Sequence, residues 1–217
     1  MDLTFLFPCL NESETLAFCI SQAKKSLEGG SIEFEILVAD NGSTDDSREI
    51  AIANGARVVN VSEKGYGAAL RGGFEAAKGR YVMFADADAT YMLEHSLELY
   101  QAAVKGDADM AIASRLKGTV ENGAMPFLHR YLGTPVLTGL INLFFKGNLS
   151  DCNSGFRCVR KEAYQTWRIR SSGMEFASEL LIKALKADAK MVEIPSGLRP
   201  DRAGRVAHLQ TWRDGMR

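Results

Sequence analysis

The sequence predicts a single α/β domain, a mostly parallel sheet flanked by helices. Three observations carry that reading. Short apolar, β-prone runs alternate with segments of helical apolar spacing through residue 115. The connections between them are short, which suits right-handed crossovers packed on both faces of one sheet. A polar group follows the strand at Asn11/Glu12, Asp40, Asp86/Asp88 and Ser114/Arg115. Ligands of such sheets sit outside the carboxyl ends of the strands, so these groups are expected on one rim.

The elements follow in order. Residues 3–7 are apolar and stop at Pro8, which reads as a buried strand. Asn11 is placed to cap a helix over 13–27, with Leu16, Ile20, Ala23 and Leu27 on one face. A second strand over 33–39 ends at the turn-forming Asp40-Asn41-Gly42-Ser43, and a helix over 44–54, capped by Ser43 or Thr44, stops at Gly55. Residues 57–61 form a third strand. Lys64-Gly65-Tyr66-Gly67 opens a helix that reaches Lys78-Gly79, and a fourth strand over 81–85 runs straight into Asp86-Ala87-Asp88. A helix over 94–105 and a fifth strand over 110–113 complete this half.

Beyond residue 115 the pattern changes. Over 125–146, Arg130, Thr134, Thr138, Asn142 and Lys146 recur every four residues, a polar stripe on an apolar rod. Pro135 suits a first helical position with Thr134 as cap, so two helices should meet there. A helix over 176–186 and a last strand over 190–194, closed by Pro195, precede an arginine-rich tail over 196–217 that reads as loop or surface segment.

Composition bounds the function. The chain has 217 residues, 46% hydrophobic and 24% charged, which excludes a disordered chain and suits one core. With 26 Lys and Arg against 27 Asp and Glu, the net charge of -1 argues against nucleic acid as a partner and makes any anion site a local cluster. The four cysteines, Cys9, Cys19, Cys152 and Cys158, have no CxxC spacing and suggest reduced thiols in a cytoplasmic setting. The N-terminus lacks the charged-then-apolar order of a leader. No run reaches the roughly 18–20 apolar residues of a membrane span; the nearest, 131–145, is broken by Gly133, Pro135, Gly139 and Asn142.

Two acidic groups carry the chemistry. Asp86 and Asp88 supply hard oxygen ligands one residue apart, which suit Mg²⁺ or Mn²⁺ bridged to a diphosphate. The same pair also suits a loop tip that solvates itself or caps the next helix. Asp40 either caps its strand–turn–helix connection or accepts a hydrogen bond from a nucleobase N–H. Glu175 and Glu179 lie one turn apart at a helix start, near its favourable dipole end.

Five segments then occur in the order seen in family 2 glycosyltransferases with the GT-A fold. They are Pro8-Cys9-Leu10-Asn11-Glu12, Asp40-Asn41-Gly42-Ser43-Thr44-Asp45, Lys64-Gly65-Tyr66-Gly67-Ala68-Ala69, Asp86-Ala87-Asp88 and Ala113-Ser114-Arg115. Asp151-Cys152-Asn153-Ser154-Gly155-Phe156-Arg157 and Thr211-Trp212-Arg213-Asp214-Gly215 narrow the likeness to the polyprenyl-phosphate branch, which resembles dolichol-phosphate mannosyltransferase. The resemblance spans essentially the whole chain as one catalytic domain. Residues 1–115 would be its nucleotide-sugar half, and 116–217 its acceptor side, stopping short of a membrane region into which branch members often continue.

The resemblance implies inverting transfer of a hexose from a nucleotide-diphosphate sugar, of GDP-mannose or UDP-glucose type, to a polyprenyl phosphate at the cytoplasmic face of a membrane. The nucleotide-sugar set it implies is Pro8, Asn11, Glu12, Asp40, Gly42, Lys64, Gly67, Asp86, Ala87, Asp88 and Arg202, with Asp40 reading the base. Asp86 and Asp88 would hold Mg²⁺ or Mn²⁺. Arg115, Arg130 and Thr134 would face the acceptor phosphate, and Asp88, Arg115 and Arg130 form the catalytic set. The family often has Gln where this chain has Thr90, and its further C-terminal arginine falls at Arg199, Arg202 or Arg205. A lipid monophosphate is already an anion at neutral pH and needs charge neutralisation rather than a general base. A glycan hydroxyl acceptor would instead need a base carboxylate at Glu175 or Asp151, and a nucleotide-binding module without turnover would need neither.

Overall fold

The structure, a computed structural model, describes residues 1–201. Seven strands form one sheet in the order β3-β2-β1-β4-β6-β5-β7. They are β1 (Leu3–Cys9), β2 (Phe34–Asp40), β3 (Arg57–Asn60), β4 (Tyr81–Phe84), β5 (Met110–Ser114), β6 (Arg157–Arg160) and β7 (Met191–Pro195). All pair in parallel except β6, which runs antiparallel between β4 and β5. The helices are α1 (Leu16–Leu27), α2 (Ser47–Ala53), α3 (Tyr66–Ala76), α4 (Ser96–Lys105), α5 (Thr134–Phe145), α6 (Lys161–Trp167) and α7 (Phe176–Lys186).

Alternation along the strands divides the core. Leu3, Phe5 and Phe7 of β1 face a layer built from α1, α2 and α4. Leu6 of β1 and Phe84 of β4 face the opposite layer of α3, α5, α6 and α7. Every residue of β1, β4 and β5 is buried, as a parallel sheet covered on both faces requires.

Several expected boundaries move for physical reasons. β1 runs through Pro8 to Cys9 because its pairing with β4 ends at Leu6, so the missing N–H falls where only β2 is bonded. Asn11 does not cap α1; its backbone turns to φ 57 and its Oδ1 accepts the Thr44 N–H at 2.8 Å instead. Nor does Ser43 or Thr44 cap α2, which starts at Ser47 behind Asp45, whose Oδ1 accepts the Ser47 N–H at 3.1 Å. Both β6 and α6 are additions to the sequence reading. The division at Pro135 is present as a π-helical turn, His129–Gly133, leading into α5.

The stripe on α5 is inverted relative to an ordinary surface helix. Thr134 and Thr138 are buried, and the Asn142 side chain bonds both backbone groups of Leu149. The apolar side faces out: Phe127 is 74% exposed, Leu143 74% and Phe144 72%. Ile141 and Phe145 of α5 pack on the core beside α7. No helix among the described residues is long and apolar enough to cross a membrane.

Candidate active site

The carboxyl ends of β1, β2, β4, β5 and β7 share one rim. Because β6 is antiparallel, its leading loop, 151–156, arrives at that rim as well. The expected groups therefore converge, and the Asp151 segment joins them.

Asp40, at the end of β2, is 1% exposed and its carboxylate is already engaged. Oδ1 accepts the Ser43 N–H at 3.2 Å; Oδ2 accepts the Gly42 N–H at 3.1 Å and Arg48 Nε at 2.7 Å. Burial works to raise its pKa, but the bonds from Ser43 and Arg48 outweigh this and hold it below the usual carboxylate range. Asp40 thus organises its own turn, and the Arg48 guanidinium stands between it and solvent. Arg48 is an addition to the sequence reading; as the second residue of α2, directly after the Asp40 turn, it is a usable signal.

Asn41 ties this turn to the next loop. Its Nδ2 donates to Val61 O and Glu63 O, its Oδ1 accepts the Gly65 N–H, and Lys64 Nζ donates to its carbonyl at 2.8 Å. Lys64 therefore lies over Gly42, where a Cβ would come within 2.1 Å of Nζ. Gly67 has a packing reason: a Cβ there would stand 2.6 Å from Ser171 O and 2.8 Å from Phe176 Cβ. Pro8 and Ala87 are buried. Glu12 stays near the rim, its N–H bonded to Ser47 Oγ at 2.8 Å.

The Asp86–Asp88 pair differs from a self-solvated loop tip. Asp86 Oδ1 is buried with no hydrogen-bond partner. Burial first, and then the charge of Asp88, push its pKa up to about 7. The half-buried Tyr66 and the buried Tyr91 flank it, and Gly155 comes so near that a Cβ would lie 3.3 Å from Asp86 Oδ2. Asp88 Oδ1 accepts both the N–H (2.9 Å) and the hydroxyl (2.7 Å) of Thr90, so threonine at that place orients the second carboxylate. Among the described residues no three His, Cys, Asp or Glu side chains gather for a closed metal cage. An orphaned carboxylate oxygen beside a second carboxylate nonetheless fits a divalent ion that takes its other ligands from water and diphosphate.

Arg115 is held in a fork. Its Nε donates to Asp151 Oδ2 at 2.7 Å and its Nη2 to Oδ1 at 2.8 Å, while its own N–H reaches Oδ2 at 3.1 Å. Asp151 is fully buried, whereas the Arg115 side chain keeps 12% exposure. Burial lowers the guanidinium pKa, but the Asp151 bonds raise it further, so it is a fixed cation. Asn153 extends the network: its N–H donates to Asp151 Oδ1 (3.2 Å) and its Nδ2 to Thr134 Oγ1 (3.4 Å). Thr134 is thereby joined to Arg115 through Asn153, by its side chain and its backbone N–H, and the Asp151 carboxylate. Arg130 is half-buried with its guanidinium 5.3 Å from the Tyr131 ring centre. Arg199 pairs with Glu94, and its N–H donates to Thr90 O at 2.8 Å; Arg202 and Arg205 lie outside the described residues.

The carboxylates available to a hydroxyl acceptor are committed elsewhere. Asp151 serves Arg115. Glu179 accepts from Ser171 N–H at 2.7 Å and pairs with Lys183 at 2.5 Å. These bonds overcome its burial and hold its pKa at about 2. Glu175 Oε1 accepts the Gly173 N–H at 3.1 Å.

Comparison with known proteins gives the family and the fold. Residues 4–168 fit the family model described as glycosyl transferase family 2. The chain is 42% identical over 215 residues to the low-salt glycan biosynthesis hexosyltransferase Agl6 of Haloferax volcanii, covering 99% of this chain and 51% of that protein. It is 30% identical over 203 residues to the dolichol-phosphate mannosyltransferase of Pyrococcus furiosus, covering 90% of this chain and 56% of that one. The chain thus spans about half the length of these two relatives. Among solved structures, glucosyl-3-phosphoglycerate synthase from Mycobacterium tuberculosis, in complex with Mn²⁺, UDP and glucosyl-3-phosphoglycerate, superposes with a TM-score of 0.73 at 23% identity. That match covers 94% of this chain and 73% of the other, and it shows the GT-A fold.

Proposed function

Because the chain belongs to glycosyl transferase family 2, we propose that it moves a hexose from a nucleotide-diphosphate sugar to a polyprenyl phosphate. The observation that carries this reading is the pairing, on one rim, of an acidic site with an orphaned oxygen and a guanidinium locked by a buried carboxylate. One half suits a donor diphosphate, the other an anionic acceptor. The relatives named for hexosyl transfer and for dolichol phosphate support the donor and acceptor classes.

The residues divide the work. The turn of Asp40, Asn41 and Gly42, closed by Lys64, holds the nucleoside. Asp86 and Asp88 hold Mg²⁺ or Mn²⁺, which when bound offsets charge building on the departing diphosphate. Asp151 keeps Arg115 charged and aimed, so its remaining N–H donors meet phosphate oxygens without reorganisation. Thr134, fixed through Asn153, and Arg130 add donors on the acceptor side. The acceptor phosphate attacks as the anion it already is, so no proton has to be removed from it. The engagement of both Asp151 oxygens by Arg115, and of Glu175 Oε1 by the Gly173 N–H, weighs against the hydroxyl-acceptor alternative.

The inside-out stripe of α5 supports contact with a lipid surface next to the acceptor residues. Phe127, Leu128, Leu132, Leu143 and Phe144 stand exposed on the continuous helical stretch 127–145, which carries Arg130 and Thr134. Contiguous exposed apolar surface of this kind marks an interaction site.

Calorimetric titration with UDP- and GDP-sugars, with and without Mn²⁺, tests the donor half. One nucleotide should bind in a metal-dependent way, and Asp88→Asn should abolish it. Transfer of labelled hexose to polyprenyl phosphate tests the acceptor half, and transfer to a glycan hydroxyl instead would overturn it. In liposome flotation the chain should rise with vesicles and Phe127→Ser/Phe144→Ser should not; a wild type that stays at the bottom removes the lipid contact.

A further inference from the structure

Arg157 is the largest fully buried side chain of the described residues, and no step of the reaction above uses it. It opens β6, an inner strand of the sheet, opposite Phe84 of β4 and Ile112 of β5. Burying a cation is costly unless its donors are met. Here each bond goes to a main-chain carbonyl: Nε to Ser154 O at 2.7 Å, Nη2 to Cys152 O at 2.8 Å and Nη1 to Ala177 O at 3.1 Å. None goes to a carboxylate. An apolar residue would pack the same space but leave the three carbonyls without these donors, so the guanidinium serves the segments that carry them.

What the three carbonyls have in common is their place. Cys152 and Ser154 lie in the loop whose first residue, Asp151, clamps Arg115. The next residue, Gly155, closes on Asp86. Ala177 lies in the first turn of α7, immediately after the 171–173 segment against which Gly65 and Gly67 pack. A second fastening holds the same loop, from Ser154 Oγ to Ala113 O at 2.6 Å on β5. The planar fork of arginine reaches three separated carbonyls at fixed angles, which the single ammonium of lysine does not.

We propose that Arg157 is a positioning residue that fixes the 151–155 loop from beneath the rim, and so sets the placement of Arg115 relative to Asp86 and Asp88. The proposal rests on reading that rim as the reaction centre. It assigns Arg157 no contact with either substrate; it acts through Asp151.

The test uses Arg157→Lys and Arg157→Met in the full chain. Amide hydrogen exchange over 151–155 should speed up by about tenfold or more while β1 and β2 exchange as before, a local opening rather than global destabilisation. Transfer should fall in kcat by roughly 10²-fold, the scale of a small misplacement of a reacting group. The donor dissociation constant should stay within about threefold. Arg157→Lys combined with Asp151→Asn should lose little more than the worse single variant, because both act on one clamp. Multiplicative losses in the pair, or an unchanged loop with lowered kcat, would overturn the proposal. Ser154→Ala, which releases only the second fastening, covers the case in which Arg157 variants do not fold. It should show faster loop exchange with reduced kcat, and fast exchange with full kcat refutes the idea. A wild type that binds donor but transfers nothing to polyprenyl phosphate sinks the acceptor assignment alone, since the exchange measurement still judges Arg157.

Discussion

The Arg115–Asp151 pair makes the sharpest demand on the reasoning, because removing either partner should damage stability and removing both should repair it without restoring transfer. Arg115→Met strands a fully buried carboxylate. Breaking a buried pair in this way costs about 4 kcal/mol, the middle of the usual range. Asp151→Asn leaves the guanidinium with one acceptor oxygen and some solvent, so the lower end, about 3 kcal/mol, applies. Independent sites would sum to roughly 7 kcal/mol in the double variant. The double instead removes the stranded charge, while asparagine still accepts one of the two backbone N–H groups that Asp151 now serves, those of Arg115 and Asn153. Its expected cost is about 2 kcal/mol, set by the other N–H left unmet.

In a domain of this size each kcal/mol moves Tm by roughly 2–4 °C, so Arg115→Met should melt about 8–16 °C low and the double only about 4–8 °C low. Thermal unfolding of the four proteins at one pH reads this directly. Transfer should stay lowered by about 10²-fold in the double, since the aimed guanidinium is gone. A double variant as unstable as the sum would refute the pairing as the reason for the burial of Asp151. Full transfer in Arg115→Met would refute its role at the acceptor.

Three further outcomes follow from the same rim and its supports. Asp86→Asn should raise the metal-free Tm more at pH 8 than at pH 5, while abolishing metal-dependent donor binding. The raised pKa means that the folded protein holds a proton which it gives up at a stability cost as pH climbs through about 7, and asparagine never titrates. Glu179→Gln should flatten the acid limb of stability: the lowered pKa supplies stability that is complete above the ordinary carboxylate range and is lost as pH falls toward about 2. Gly65→Ala should destabilise by on the order of 2–3 kcal/mol, seen as a lower urea midpoint, because φ is +129 and the added Cβ would meet Ser172 O at 2.1 Å.

The rim was legible because parallel strands all end on one side, so any polar residue following a buried apolar run declares its place. Asp40, Asp86, Asp88 and Arg115 needed no more than that. Their partners were hidden for a different reason. The fork on Arg115 comes from Asp151, 36 residues away, and reaches the rim only because β6 runs backwards between β4 and β5. That strand is four residues long and begins with an arginine, which hydrophobic patterning assigns to solvent. Arg157 defeats the pattern because its donors meet carbonyls, and carbonyl positions are set by the fold.

The same limit governs α5. Periodicity drew the stripe of Thr134, Thr138 and Asn142 with the right spacing, but spacing is blind to which face looks inward. The inward choice is made by the loop beside it: Cys152 N–H needs Thr138 Oγ1 at 3.2 Å, and Leu149 needs both ends of the Asn142 amide. Buried main-chain groups must find partners, and a loop that turns back to bring Asp151 beneath Arg115 cannot find them all within itself. The polar stripe is therefore drawn toward the loop, and the apolar stripe is left outside. An exposed apolar face and a locked Arg115 are two consequences of one requirement, that the segment 147–156 satisfy its backbone while crossing under the rim.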